Sequence, residues 1–330
     1  MQHENKVILV TGATGLIGRV VVDELEMRGY KVVALDNKIP NKPFKHQHGV
    51  IWVNVDITDN NLWDVLGQHE LAGVIHAAAH PGGRSLQEPT IDVEVNVLGS
   101  MRIFEYCAIN RIPIVYTSSS VIYGDQPHFP IKETATLNPG TIYGACKVAC
   151  ENYLRILGEG YGLQWVVMRV FSTYGAGHKA SEFQGIVNVM LTQLMAGNRV
   201  VVKGSLQRTR DMVYVNDVAC GLVDALFEKS SYGRIINLGT GNPVTIEDMI
   251  NALIVSMGKN IEDIEKVAGD QGGYIGSTLN KKIIDPISGI EVPFYCYTDS
   301  LDSSCEVIEP VPLTFIDSEL TTYIQGKIDQ

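Results

Sequence analysis

The 330-residue chain is long enough for one large α/β domain or a domain with a smaller lobe, and its 45% apolar and 19% charged residues make a globular balance. A net charge of −11 argues against a nucleic-acid or anionic-membrane surface, but not against an anionic small molecule held by one or two arginines. No apolar run reaches bilayer-spanning length, the first strand pattern begins too early to leave room for a signal peptide, and six cysteines without a Cys-x-x-Cys pair read as reduced thiols, so a soluble cytoplasmic protein is expected.

In chain order, Lys6–Val10 is a short apolar run that predicts a buried parallel strand. Thr11-Gly-Ala-Thr-Gly-Leu-Ile-Gly18 follows it. Leu16, Ile17, Val20, Val21, Val22 and Leu25 then recur at helical spacing up to Arg28-Gly29. In such a strand-to-helix turn Gly12 permits the tight turn, Gly15 lets backbone approach a ligand, and Gly18 lets the helix press on the strand. Free N–H groups at the helix start, around Leu16 and Ile17, would face a dinucleotide pyrophosphate.

Lys31–Leu35 reads as the second strand and ends at Asp36, eighteen residues past Gly18, where a carboxylate can accept both ribose hydroxyls and repel a 2′-phosphate. NAD rather than NADP is therefore expected, with Asn37 beside it. The proline-bearing stretch 37–49 reads as a surface loop, in which His46 and His48 are taken as solvated side chains rather than a metal site. Val50–Val55 predicts the third strand, and Asp56-Ile57 either an adenine-edge contact or the cap of the next helix. Gly73–Ala79 predicts the fourth, with Ala77, Ala78 and Ala79 letting backbone lie against a cofactor. His76 and His80 sit at a strand end, so no zinc site is expected there.

The loop His80–Ser85 carries Arg84 at the edge where open α/β sheets bind ligands. A helix is predicted over about Ile91–Asn110, a strand at Pro113–Thr117, a helix over about Tyr143–Leu157 and a strand at Gln164–Arg169. This alternation indicates an α/β doubly wound parallel (Rossmann) sheet. From Ser172 the pattern loosens into short strands near Val200 and Val213 and helices near Gln184–Met195 and Asp217–Phe227. The expected division is a dinucleotide-binding domain over 1–171, with strand returns near 213–217 and 235–238, and a smaller interleaved substrate-binding lobe over most of 172–330. The segment 258–290 carries no readable element.

Tyr143-Gly-Ala-Cys-Lys147 places a phenol and an ammonium on one helix face. A free phenol titrates too high to be a base at neutral pH; a neighbouring cation lowers it, and Lys147 can also reach a nicotinamide ribose. Upstream, Thr117-Ser-Ser-Ser120 leaves a strand end with hydroxyls where a carbonyl or alcohol would lie. Ser, Tyr and Lys beside a nicotinamide are what hydride transfer at a carbinol carbon needs. Cys146 and Cys150 flank that face and read as packing thiols.

With these motifs the chain resembles the extended short-chain dehydrogenase/reductase family, in its NAD-dependent epimerase/dehydratase branch that works on sugar nucleotides. The resemblance covers about Lys6 to Leu253 and rests on Thr11–Gly18, Asp36, Asp56-Ile57, His76–Ala79, Val95–Gly99 with Asn96, Ser118–Gly124, Tyr143–Lys147, Arg169–Phe171, Arg210–Ala219 and Asn237–Gly241. It implies Tyr143 as general base and acid, Lys147 as its partner, Ser119 as the hydroxyl on the reacting oxygen, and Arg210 as a clamp on a substrate phosphate. Ser120 and Ser172 would also line the substrate. Dehydratases and decarboxylases of the branch carry a carboxylate at the positions here held by Ser120-Val121, so epimerisation is the simplest remaining cycle, most readily at C4 through a transient 4-keto sugar, with tightly bound NAD regenerated each turn.

Two positions depart from the branch. Ser172 replaces a frequent Asn, and a late Arg-bearing segment survives only as Ile287–Ile290; Arg84 could substitute. These departures keep open a net NAD-dependent dehydrogenase or reductase acting on a nucleotide sugar or a smaller carbonyl or alcohol. A non-catalytic NAD-binding protein is the third reading, against which stand the intact Ser, Tyr and Lys. Relatives dimerise through the helices that here span Ile91–Asn110 and Tyr143–Leu157, so a homodimer is expected.

Overall fold

The computed structural model describes residues 6–39, 49–85, 87–126, 130–177, 185–197 and 199–269, with two-residue strands at 283–284 and 291–292. His46, His48 and the segment 287–290 lie outside the described residues, as does most of 270–330.

The chain forms two compact units. The first comprises residues 1–122, 139–170 and 215–238. Its strands are β1 (Val7–Thr11), β2 (Lys31–Asp36), β3 (Val50–Asn54), β4 (Leu71–His76), β5 (Ile114–Ser119), β6 (Trp165–Val170) and β10 (Arg234–Leu238). They make one sheet in the order β10-β6-β5-β4-β1-β2-β3, parallel throughout. Its helices are α1 (Leu16–Met27), α2 (Leu62–Leu66), α3 (Pro89–Val93), α4 (Ser100–Asn110), α5 (Ile142–Tyr161) and α7 (Val215–Phe227). The doubly wound parallel sheet read from the sequence is therefore present.

Near-continuous apolar strands require cover on both faces. Leu9, Val33, Leu35, Val74, Ile114 and Val167 meet Ile103, Phe104 and Cys107 of α4 and Leu154 and Leu157 of α5. The alternate residues Ile8, Val10, Val32, Ala34 and Ile75 are equally buried and point the other way, where α1 and α7 pack against each other. Strand order runs outward from β1 in one direction and from β4 in the other. The carboxyl ends of these two neighbours thus form the switch point at which such sheets hold ligands.

The expected helix over Ile91–Asn110 is α3 and α4 joined by one wider, π-helical turn at Glu94–Gly99. Of the two expected strand returns, 235–238 is β10 beside β6. Residues 213–217 instead finish β9 (Thr209–Tyr214) and open α7, outside the large sheet. The apolar alternation there is real, but β9 pairs with other strands.

The second unit comprises residues 123–138, 171–214 and 239–330. In it β7 (Ser172–Tyr174), β9 and β11 (Pro243–Thr245) make a three-stranded sheet in the order β11-β9-β7, and β8 (Arg199–Lys203) pairs with β12 (Glu265–Gly269). Its core is Met190, Leu191 and Leu194 of α6 (Ile186–Ala196) with Met249, Ile250 and Leu253 of α8 (Ile246–Ser256) and Val200 and Val202 of β8. Among the described residues no helix is long and apolar enough to cross a membrane.

Candidate active site

The turn after β1 is built around two missing side chains. Gly12 adopts φ +67°, in the left-handed region, and a Cβ there would stand 2.6 Å from the Ala78 backbone nitrogen. A Cβ on Gly18 would stand 2.1 Å from the Gly12 carbonyl oxygen, so α1 can press on the turn only with glycine there. At Gly15, the N-cap of α1, a Cβ would meet that carbonyl at 3.1 Å. No side chain caps α1 and no acidic residue stands in its first turn. The N–H groups of its first turn, including those of Leu16 and Ile17, therefore present an uncompensated positive dipole end, the feature a pyrophosphate requires. Ala77 and Ala78 follow β4 with their backbone against Gly12, and Ala79 comes next, so the two loops meet with only small side chains between them. The residues present fit a dinucleotide.

Asp36 ends β2 with a half-buried carboxylate that accepts the Thr14 N–H at 3.0 Å and the Lys38 N–H at 3.1 Å. It is thereby pinned beside the glycine turn. Asn37 donates from Nδ2 to Asp56 at 2.6 Å. Asp56 also takes the Thr58 N–H at 2.9 Å and the Thr58 hydroxyl at 2.8 Å. Although burial opposes it, these donors hold the Asp56 carboxyl below the ordinary carboxylate range. The helix-cap reading of Asp56-Ile57 is corrected: the N-cap of α2 is Asn61, without a side-chain cap bond, whereas Asp56 folds the turn at Thr58 ahead of it, and Ile57 is buried. His76, expected only as a strand residue, is fully buried between the Thr11 hydroxyl (2.6 Å) and the Ser100 hydroxyl (2.9 Å). Burial pushes its imidazole down to about 3, so it is a neutral structural link. Among the described residues no group of three or more His, Cys, Asp or Glu could hold a metal ion.

Tyr143 and Lys147 lie on the first two turns of α5, whose N-cap Thr141 accepts the Gly144 N–H at 2.9 Å. Lys147 is 1% exposed and donates from Nζ to the Thr117 carbonyl oxygen at 2.8 Å. The same Nζ stands 5.4 Å from the centroid of the Tyr143 ring and 4.6 Å from that of Tyr116. Burial pulls its ammonium down to about 8, against the opposing influence of Cys150, Asp92 and Glu151. A cation held so close favours phenolate over phenol. Thr117 itself donates to the His76 carbonyl at 3.0 Å, tying the ends of β5 and β4 together. Ser119 ends β5 half-buried, with the Val121 N–H 3.4 Å from its Oγ, and Ser120 opens the following 3₁₀ turn.

Several supporting groups had no local sequence signal. Ser118, next to the expected catalytic hydroxyl, is buried and donates to Glu151 at 2.5 Å. Glu151 in turn holds Arg169 through contacts of 2.7 and 3.1 Å, a buried ion pair under the Tyr–Lys helix. Ser85 accepts the Tyr143 N–H at 2.8 Å and donates to the fully buried Asp92 at 2.6 Å. Asp92 is bound in addition by Asn96 Nδ2 and by His80 Nδ1, the latter at 3.3 Å. The amide of Asn96, expected at the cofactor, is engaged inside the protein. Its Oδ1 accepts the His80 N–H at 2.7 Å, and its Nδ2 also donates to the His80 carbonyl at 3.1 Å. Burial raises the Cys146 thiol to about 11 and Cys150 bonds the Asn96 carbonyl at 2.9 Å, so both are inert packing thiols. Arg84 is exposed on the loop, where its backbone N–H donates to the Pro81 carbonyl at 2.9 Å.

The remaining expected substrate residues belong to the second unit. Ser172 opens β7, paired with Met212 of β9. Arg210 lies in β9, 9% exposed, and donates to the Thr209 carbonyl at 2.8 Å. Asp211, its neighbour, faces Thr240 and Gly241 through contacts of 2.6 to 2.9 Å.

The chain matches the NAD dependent epimerase/dehydratase family over residues 8–239. The UDP-glucose 4-epimerase of Mycolicibacterium smegmatis is 31% identical over 258 residues, covering 76% of this chain and 82% of that protein. The structure of the Thermus thermophilus UDP-glucose 4-epimerase complex with NAD is 30% identical, with a TM-score of 0.74 over 86% of this chain and 91% of that one. The UDP-N-acetylglucosamine 4-epimerase from Methanobrevibacter ruminantium, in complex with UDP-N-acetylmuramic acid, is 25% identical, with a TM-score of 0.83 over 99% of each chain. With the family match spanning the glycine turn, the parallel sheet and the Tyr–Lys helix, the chain belongs to the NAD dependent epimerase/dehydratase family and is an NAD-dependent epimerase.

Proposed function

We propose that this enzyme inverts C4 of a sugar carried on a nucleoside diphosphate, with Tyr143 as the proton-transferring group. The observation that carries this reading is the buried Lys147 ammonium, fixed on the Thr117 carbonyl and held 5.4 Å from the Tyr143 ring. Bound NAD supplies the reversible hydride acceptor. Tyr143, as phenolate, takes the proton of the C4 hydroxyl as C4 is oxidised, and returns it when C4 is reduced from the opposite face. Lys147 keeps the phenolate accessible near neutral pH, and Ser119 holds the reacting oxygen. Ser120 and Val121 put no carboxylate beside that oxygen, so nothing expels water or carbon dioxide from the keto sugar. The M. smegmatis and T. thermophilus relatives, named for C4 inversion of UDP-glucose, support this choice.

In this reading the first unit is the cofactor lobe. The first turn of α1 receives the pyrophosphate, Gly15 lets it come close, Asp36 takes the adenosine ribose with Asn37 beside it, and NAD stays bound through turnover. The second unit is the substrate lobe, with Arg210 on a substrate phosphate and Ser172 lining the site. Ile91, Val93 and Leu98 around the α3–α4 segment and Tyr153 and Ile156 on α5 are exposed large apolar side chains, which supports a homodimer through these helices.

The test uses the protein as purified. Denaturation and mass spectrometry should release NAD, and native enzyme given UDP-, GDP-, CDP- and dTDP-sugars should yield an isomeric sugar with no net change in nicotinamide absorbance. Stoichiometric NADH accumulation would instead make it a dehydrogenase, and bound NAD without turnover of any nucleotide sugar would remove the substrate class.

A further inference from the structure

Two buried arginines of the second unit stand side by side, and among the described residues no carboxylate pairs with either. The Ile246 N–H donates to the Arg208 carbonyl at 2.8 Å, which extends the antiparallel β11–β9 pairing, in which Val244 faces Arg210, by one more pair. Arg208 and Arg210 therefore project from the same face of one extended run, about 7 Å apart along it. Arg208 is 9% exposed, and its Nε is buried with no hydrogen-bond partner. Its guanidinium lies over the bare backbone of Gly204, a turn residue at φ +78°, where a Cβ would come 3.4 Å from Nη1 and 3.6 Å from Cζ. Arg210 is equally buried, and its Nη1 donates to the neighbouring Thr209 carbonyl.

Nearby acids are already committed elsewhere. Asp211, next to Arg210 in sequence, points to the opposite face and is held by Thr240 and Gly241. Glu247 takes Lys266 at 3.2 Å and Gln207 at 2.9 Å. Among the described residues no carboxylate forms an ion pair with Arg208 or Arg210. Burial, reinforced by the adjacent Arg208 charge, pulls Arg210 down to about 10. Two like charges withdrawn from water with unused donors cost stability unless an anion enters between them.

With Arg210 on a substrate phosphate as in the reading above, we propose that Arg208 is a second, specificity-determining anion contact, the residue that discriminates a diphosphate from a monophosphate. Two planar forks on one strand face can each take an oxygen pair of a doubly charged ester, which a single arginine cannot. The natural ligand rests on the nucleotide-sugar reading above; the anion chemistry does not.

Calorimetry on the full-length NAD-loaded protein with UDP, UMP and inorganic pyrophosphate as probes tests this, comparing wild type with Arg208→Met and Arg208→Lys. Arg208→Met should weaken UDP binding about 10- to 100-fold, the effect of losing charged hydrogen bonds, and should leave UMP within a few-fold. Arg208→Lys should recover part of the loss. In turnover the KM for the nucleotide sugar should rise while kcat holds. The melting temperature of ligand-free Arg208→Met should not fall, because an uncompensated buried charge has gone; a structural role for the side chain would lower it. Equal weakening of UDP and UMP, or unchanged UDP affinity, overturns the inference. Pyrophosphate binding as tightly as UDP and through Arg208 would assign the site to a free inorganic anion rather than a nucleotide. UDP bound through Arg208 without turnover of any nucleotide sugar would keep the site and remove the epimerase substrate; full turnover with Arg208→Met unimpaired would do the reverse.

Discussion

The backbone N–H of Tyr143 donates to the hydroxyl of Ser85, 58 residues earlier in the chain, at 2.8 Å. The start of a helix leaves N–H groups without intrahelical partners. Here Thr141 satisfies one and Ser85, from the loop after β4, another. Ser85 in turn donates to the fully buried Asp92, so the position of Tyr143 depends on a chain that begins in another element. Ser85→Ala should remove both bonds and leave one Asp92 oxygen without its donor, at a cost of about 1–3 kcal/mol. Because it shifts Tyr143 without changing its chemistry, kcat should drop roughly tenfold while bound NAD is retained. Mass spectrometry of the released nucleotide, alongside steady-state kinetics, separates the two effects. A variant with normal kcat would mean that the loop merely packs against α5.

Tyr143→Phe removes one oxygen and leaves the ring that Lys147 and Gly82 pack against. The protein should fold, retain NAD and lose turnover by at least about a thousandfold, since general acid–base catalysis contributes factors of about 10² to 10⁴. The direct measurement is sugar isomerisation at saturating substrate by chromatography. Turnover within tenfold of wild type would take the proton transfer away from Tyr143.

Features carried by short spacings are legible in the sequence. The glycine turn and the Tyr-x-x-x-Lys pair each fall within two turns of chain, and strand-helix alternation marks the large sheet. Long-range pairings are not. Nothing local in Ser85 or Asp92 marks them as a relay, and Asn96 looks like a ligand contact because its role depends on where the His80 loop folds. Arg208 shows the limit most clearly. An arginine in a polar stretch reads as solvated, but the turn at Gly204 and the pairing with Ile246 draw it inside. The helix α8 does carry a local signal: Thr245 caps the Asp248 N–H, and Ile246, Met249, Ile250, Leu253 and Ile254 recur at helical spacing.

Asp36 has two tasks that a substitution would separate. It receives the Thr14 and Lys38 N–H groups, which shape the turn, and in the proposed site it accepts the adenosine ribose hydroxyls. Asp36→Asn keeps size and an acceptor but removes the charge that repels a 2′-phosphate. NAD affinity should fall about tenfold and the preference for NAD over NADP should narrow by a larger factor. Fluorescence titration of stripped protein with both cofactors measures this. An unaltered preference would place ribose recognition on another residue.

Glu151→Gln should be among the most damaging substitutions away from the reacting atoms. Glu151 is buried with Arg169 and Ser118, and removing its charge takes away the carboxylate that faces the buried Arg169 guanidinium at 2.7 Å. Breaking such a pair by one partner costs about 3–5 kcal/mol. Denaturant unfolding of Glu151→Gln should show that loss, and Glu151→Gln combined with Arg169→Met should recover part of it. A double variant no better than the single one would mean that Glu151 acts chiefly through Ser118.

Lys147 gives the reaction its expected dependence on pH. Burial holds its ammonium near 8, below the ordinary lysine value, so the folded protein releases this proton earlier than the unfolded chain does. Between about pH 8 and the ordinary lysine value the unfolded state binds the extra proton, and this group makes the folded state more stable as pH rises through that window. Activity should move the opposite way. Below about pH 8 the ammonium beside Tyr143 favours phenolate; above it the neutral amine still bonds the Thr117 carbonyl but no longer offers charge, and kcat should decline. Single-turnover measurements across this range should show that basic limb in wild type. In Lys147→Met it should be absent, with the whole profile lowered by about a hundredfold. A wild-type rate that stays level to about pH 9 or beyond would mean that the Lys147 charge does not assist the phenolate, and that the pair serves packing alone.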